Sequence, residues 1–129
     1  MAVGCADAEA GRLLWSRNTG GINAVGGDDE VIVGADATDR IVAWKTENGE
    51  NLWTSERMLF RGLSAPTSLG PAVVFGDFEG YVHFLDRKDG QPLLRLSTDG
   101  SPVVGKPVLS GTTLLVVTRN GGLFAFRPQ

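Results

Sequence analysis

The sequence predicts an all-β protein, a partial β-propeller of about three four-stranded antiparallel blades, and three observations carry that expectation. Landmark glycines and apolar pairs recur at a spacing of about 41 residues, in the range that marks propellers and solenoids. Eighteen glycines and six prolines in 129 residues leave little room for long helices and demand many tight turns. The apolar runs, such as Val31-Ile32-Val33 and Leu114-Leu115-Val116-Val117, are short and rich in β-branched residues, which suits buried strands.

The repeat is legible residue by residue. Residues 41–53 align with residues 82–94, so that the turn glycines Gly49 and Gly90 stand 41 positions apart. Residues 3–15 form an earlier copy, with Gly11 lying 38 positions before Gly49. A further copy begins at Gly121-Gly122-Leu123-Phe124-Ala125-Phe126-Arg127 and repeats residues 80–86.

Taken in order, residues 2–18 predict a C and a D strand, residues 22–56 a first complete blade and residues 63–98 a second. Residues 106–128 predict the A, B and C strands of a last blade, all within one domain spanning 1–129. Inner strands are expected over residues 30–35, 72–76 and 113–118. Each is followed by a turn of Asp or Asn near Gly, as in Asp77-Phe78-Glu79-Gly80 and Arg119-Asn120-Gly121. Alternating strands such as residues 81–85 come next. Turns at Glu47-Asn48-Gly49 and Lys88-Asp89-Gly90 then supply residues that tolerate positive φ and lead into fourth strands over residues 51–55 and 93–97. Three blades are too few to close a ring, since propellers typically have about four to eight. The unpaired terminal strands therefore predict either a longer chain or self-association of copies.

Composition narrows the function. With 42% hydrophobic residues the chain can build a core. The formal charge of −3 and the scatter of twelve Lys and Arg leave no basic stripe to follow a phosphate backbone, which argues against nucleic acid. No apolar run approaches the roughly 20 residues a spanning helix needs. Cys5 is the single cysteine and has no partner for an internal disulfide. Val3-Gly4-Cys5 echoes a lipidation site but lacks an apolar segment upstream, so Cys5 is expected to be a small strand residue.

Other motifs fail on chemistry. Gly100-Ser101-Pro102-Val103-Val104-Gly105-Lys106 matches most of a phosphate loop, but Pro107 stands where a Mg²⁺-binding hydroxyl belongs, and strand signals follow in place of a helix. His83, the only histidine, lacks the neighbours of a zinc site or a catalytic triad. The acidic runs at residues 28–30 and 36–39 fit no Ca²⁺ loop and predict solvated turns. One loop has interface character. Met58, Leu59 and Phe60 followed by Arg61 offer residue types enriched at binding hot spots, or else fold back over the propeller surface.

The pattern Ala-x-x-x-x-x-Gly-x-x-x-Trp, from Ala43 to Trp53 and approximately from Cys5 to Trp15, resembles the tryptophan-docking repeat of quinoprotein-type propellers. Leu14-Trp15-Ser16-Arg17, residues 77–83 and residues 121–126 resemble the last blades of the BamB family, lipoproteins of the outer-membrane β-barrel assembly machinery. The resemblance implies blade-docking roles for Gly11, Trp15, Gly49, Trp53, Gly90 and Leu94, the last standing where the pattern has Trp. It implies the C-terminal part of an eight-bladed ring at the periplasmic face of the outer membrane, anchored by a lipid carried elsewhere. The implied role is a non-enzymatic scaffold, without cofactor or metal, that contacts the machinery's barrel subunit and barrel precursors. Quinone-dependent dehydrogenases share the repeat and are the rival reading; a repeat segment without independent activity is the bland one.

Overall fold

The structure, a computed structural model, describes residues 2–8, 11–18 and 21–127. Among these residues it is built of strands and turns alone. A two-stranded sheet pairs β1 (Ala2–Asp7) with β2 (Arg12–Asn18). Two four-stranded meanders follow, β3 (Ile22–Gly27), β4 (Val31–Asp36), β5 (Ile41–Lys45), β6 (Asn51–Ser55) and β7 (Thr67–Leu69), β8 (Ala72–Gly76), β9 (Tyr81–Asp86), β10 (Pro92–Ser97). A three-stranded sheet of β11 (Val108–Ser110), β12 (Thr113–Val117) and β13 (Leu123–Phe126) completes the order. All pairings are antiparallel between sequence neighbours, the signature of propeller blades.

The sheets stack face to face in an arc, with β7 beside both β3 and β11, so that the first strand of each of the last three sheets lies innermost. Three apolar layers fill the spaces between sheets. Val3, Trp15, Ile22 and Trp44 pack between the first two; Val33, Ile41, Trp53, Phe75 and Leu85 between the two four-stranded sheets; Val74, Val82, Leu114 and Val116 between the last two. This layering explains why Val73-Val74-Phe75 shows no alternation. β8 is sandwiched on both faces, with Val73 and Phe75 turned one way and Val74 the other, and all five of its residues are buried. By contrast β10, outermost in its sheet, is exposed along most of its length.

Antiparallel order also sorts the turns onto two rims. One rim carries the turns before β4, β6 and β10. The other carries the turns before β5, β9 and β13 and the long loops after β6 and β10. Strand ends differ slightly from the pattern-based reading. Thr118, expected to end a strand, lies past β12 because its hydroxyl accepts the Gly122 N–H (3.2 Å) and closes the turn.

Candidate functional site

The first rim holds the residues implied in blade docking. The indole N–H of Trp15 donates to the Thr46 carbonyl (2.6 Å), and its ring lies on Gly49, where a Cβ would stand 2.5 Å from the nearest ring carbon. Gly49 has φ 73°, a conformation that favours glycine in its own right. Arg17 reinforces the contact by donating to the carbonyls of Gly49 (3.1 Å) and Asn48 (3.0 Å). One sheet further on the geometry recurs. Trp53 Nε1 donates to the Arg87 carbonyl (2.8 Å), and its ring covers Gly90, again leaving 2.5 Å for an added Cβ.

Arg87 also reaches back across the layer, pairing with Asp28 (2.6 Å) and Glu30 (3.3 Å). Burial works against the Asp28 carboxylate, but donation from the Val31 and Glu30 amides and from Arg87 outweighs it and holds its pKa below the ordinary value. The remaining two implied residues are not brought to such partners. Gly11, at φ 64°, has nothing within 4 Å of its Cβ position. Leu94 is 51% exposed and lines a shallow apolar hollow with Leu69, Phe84, Leu96 and Phe126. Any turn following β13 lies outside the described residues.

The second rim divides the Met58–Arg61 loop between the two readings the sequence left open. Met58 folds back into the apolar layer beneath β6 and β8, and Leu59 is half-buried. Phe60 points to solvent, 79% exposed, and Arg61 is half-buried beside it. Phe60 has φ 60°, where a bulky residue is strained. Its loop is nonetheless fixed. Phe60 N–H donates to the Thr38 carbonyl (3.0 Å), while Asp39 accepts from the amides of Gly62 (2.8 Å) and Leu63 (3.2 Å).

Beside this loop stands the turn before β9, organised by Asp77. One oxygen of its buried carboxylate accepts the amides of Glu79 (2.8 Å) and Tyr81 (2.9 Å); the other meets His83 Nε2 at 2.7 Å and Arg61 at 3.8 Å. The turn presents Phe78, 59% exposed, and the Phe78 amide donates to the Arg61 carbonyl (2.9 Å). Arg119 from the next sheet lies over the Phe78 ring at 5.9 Å. His83 is a strand residue of β9, as the pattern leads one to expect, and is also a buried member of this network. A signal was present. Asp36, Asp77 and Thr118 stand at 41-residue spacing, and each accepts backbone amides of its own turn.

Burial pushes the pKa of His83 below its ordinary 6.5, a trend the Asp77 hydrogen bond opposes and the facing Arg61 and Arg95 assist. The unfolded chain therefore binds a proton more readily than the folded one, and the stability that His83 contributes above pH 6.5 is lost as pH falls below that value. Urea midpoints measured from pH 7.5 down to pH 5 should decline for the natural chain and flatten for His83→Gln; equal slopes would remove His83 as the origin.

Elsewhere, residues 100–106 run through an isolated bridge between Val103 and Thr118 and form no helix to receive phosphate. Among the described residues no group of three or more His, Cys, Asp or Glu is placed to hold a metal ion.

Comparison with known proteins gives a consistent picture. A family model described as outer membrane protein assembly factor BamB matches residues 2–129. The outer membrane protein assembly factor BamB of Burkholderia pseudomallei (strain K96243) is 42% identical over 127 residues, which is 98% of this chain and 33% of that protein. That of Escherichia coli (strain K12) is 30% identical over 119 residues, 92% of this chain and 30% of that protein. The crystal structure of BamB from Moraxella catarrhalis superposes with a TM-score of 0.82 at 23% identity, covering 95% of this chain and 36% of that one. The computationally designed Ika4 protein superposes with a TM-score of 0.78 at 18% identity, covering 98% and 79%. At those identities the two structures speak for the propeller fold alone. The chain spans about a third of the length of the curated relatives it matches. With a family model matching it almost end to end and two complete four-stranded blades stacked between a two-stranded and a three-stranded sheet, this chain belongs to the BamB family of outer membrane protein assembly factors.

Proposed function

We propose that this chain forms part of a non-enzymatic propeller scaffold that assists the assembly and insertion of β-barrel proteins into the bacterial outer membrane. The match of the BamB family model to residues 2–129 is the observation that carries this reading. On it, the scaffold works at the periplasmic face of the membrane, held by a lipid anchor, and engages the barrel subunit of the assembly machinery and barrel precursors. The paired Trp15–Gly49 and Trp53–Gly90 contacts act as blade-docking elements that keep the sheets in a fixed stack. Gly11 and Leu94 offer the corresponding positions to neighbouring blades or to a second copy.

The role needs a rigid frame and an exposed surface, not a reaction centre, and the second rim supplies fixed loops with outward aromatic and arginine side chains. Affinity capture tests the reading directly. The ring containing this chain, tagged and purified from membranes of its host, should retain the barrel subunit of the machinery through washing. A folded, membrane-anchored ring that retains none of it would sink the proposal.

A further inference from the structure

We infer that the second rim, where the loop after β6 meets the turns before β9 and β13, is a docking surface for an acidic protein segment that sets an apolar side chain between its carboxylates. The inference rests on the scaffold reading above and names the partner chemistry. Two phenylalanines, Phe60 at 79% and Phe78 at 59% exposure, stand outward on separate loops that are tied to each other by the Phe78 amide and the Arg61 carbonyl. The loops also fit closely, since a Cβ on Gly62 would stand 3.0 Å from Phe78 Cβ.

Phe60 is the more telling of the two. A side chain of its size is an outlier at φ 60°, and bonds to Thr38 and Asp39 hold the surrounding backbone there. The backbone thus holds an apolar ring in water, and a partner that covers it removes that apolar surface from solvent.

Charge selects that partner. Arg57, Leu59, Phe60, Arg61, Phe78 and Glu79 line a hollow of about 500 Å³, and Arg119 extends it from the next sheet. Arg57, Arg61 and Arg119 thus surround a hollow whose lining carries one carboxylate, Glu79, while Asp77 lies buried behind Arg61 and Asp39 is engaged by the Gly62 and Leu63 amides. Among the described residues no carboxylate pairs with Arg57 or Arg119; Arg57 reaches only the Gln91 side-chain oxygen (3.3 Å), and Arg61 meets Asp77 no closer than 3.8 Å. The guanidiniums of Arg57 and Arg119 are available to carboxylates, whose planar oxygens suit them. A polynucleotide fits less well, because Glu79 stands within the hollow and the chain's net charge is −3.

Fluorescence anisotropy on the whole chain reads the interaction. The probe is a labelled peptide in which Glu alternates with Leu; a Lys-Leu peptide and a labelled single-stranded oligonucleotide serve as counterparts. The acidic peptide should bind, lose affinity as ionic strength rises, and bind about tenfold more weakly to Phe60→Ala and to Arg119→Glu. Phe60→Gly separates binding from folding. Glycine accepts the positive φ, so its melting temperature should hold or rise while peptide affinity falls. Equal binding of the Lys-Leu peptide, preferred binding of the oligonucleotide, or unchanged affinity in the folded Phe60→Gly chain would each overturn the inference. Capture of the barrel subunit reports separately: its failure with peptide binding intact overturns the scaffold reading alone, and the reverse result overturns this inference alone.

Discussion

Trp53→Ala should lower the stability of this chain by about 3–5 kcal/mol, the range for truncating a buried aromatic side chain and a large fraction of what a small domain possesses. The indole fills the apolar layer between the two four-stranded sheets, touching the cluster of Val33, Ile41, Phe75 and Leu85. Its N–H also satisfies the Arg87 carbonyl, which the substitution leaves without that donor. Gly90 provides the control. An added Cβ there meets the Trp53 ring at 2.5 Å and suffers a φ of 76° besides. Gly90→Ala should therefore be costly in the natural chain, but the steric part of its cost disappears once Trp53 is Ala. The two substitutions should combine to less than the sum of their separate effects by about 1 kcal/mol or more. Urea unfolding followed by circular dichroism gives all the terms. An unshifted midpoint for Trp53→Ala, or strict additivity with Gly90→Ala, would show that this contact does not hold the sheets together.

Asp77→Ala should cost about 3 kcal/mol, although the residue sits in a turn where substitutions are ordinarily mild. Its carboxylate is 1% exposed and serves the Glu79 and Tyr81 amides and the His83 ring at once. Removing it leaves those donors without an acceptor, and each unsatisfied buried donor carries a penalty of about 1–3 kcal/mol. Asp36→Ala, at the equivalent position one repeat earlier, removes a similar set of turn bonds to Thr38 and Arg40 but exposes them to water. A loss of about 1 kcal/mol is expected there. Thermal melts of the two variants side by side test the argument; equal losses would mean that burial of the Asp77 network is not what matters.

The all-β class and the blade repeat were legible because strand signals and turn glycines are local, and a local signal repeated at fixed spacing reinforces itself. The inner strand over residues 72–76 was legible for the same reason, whereas its burial on both faces emerges only from the stacking of the sheets. What the sequence hides is contact between sheets. Phe60 and Phe78 are separated by a strand, a turn and another strand, and they come to line one hollow only through the folding of their loops against each other. The outward turn of Phe60 was equally unreadable, because nothing near it in the sequence announces a positive φ on an aromatic residue. Met58 and Phe60, two positions apart in one loop, took opposite fates for that reason. His83 went unrecognised because its partner Asp77 lies across a turn, although the 41-residue register of Asp36, Asp77 and Thr118 was there to be read.

The separation of the two rims has an evolutionary consequence. The tryptophans, their turn glycines and Arg87 cluster at one rim, while Phe60, Phe78 and Arg119 occupy the other. Mutations at sites that share no partners act nearly independently. Natural variation can therefore remodel what the second rim recognises, one point substitution at a time, without eroding the stack that carries it. A lineage whose partner drifts can follow that drift cheaply, with the stacked repeat beneath left intact.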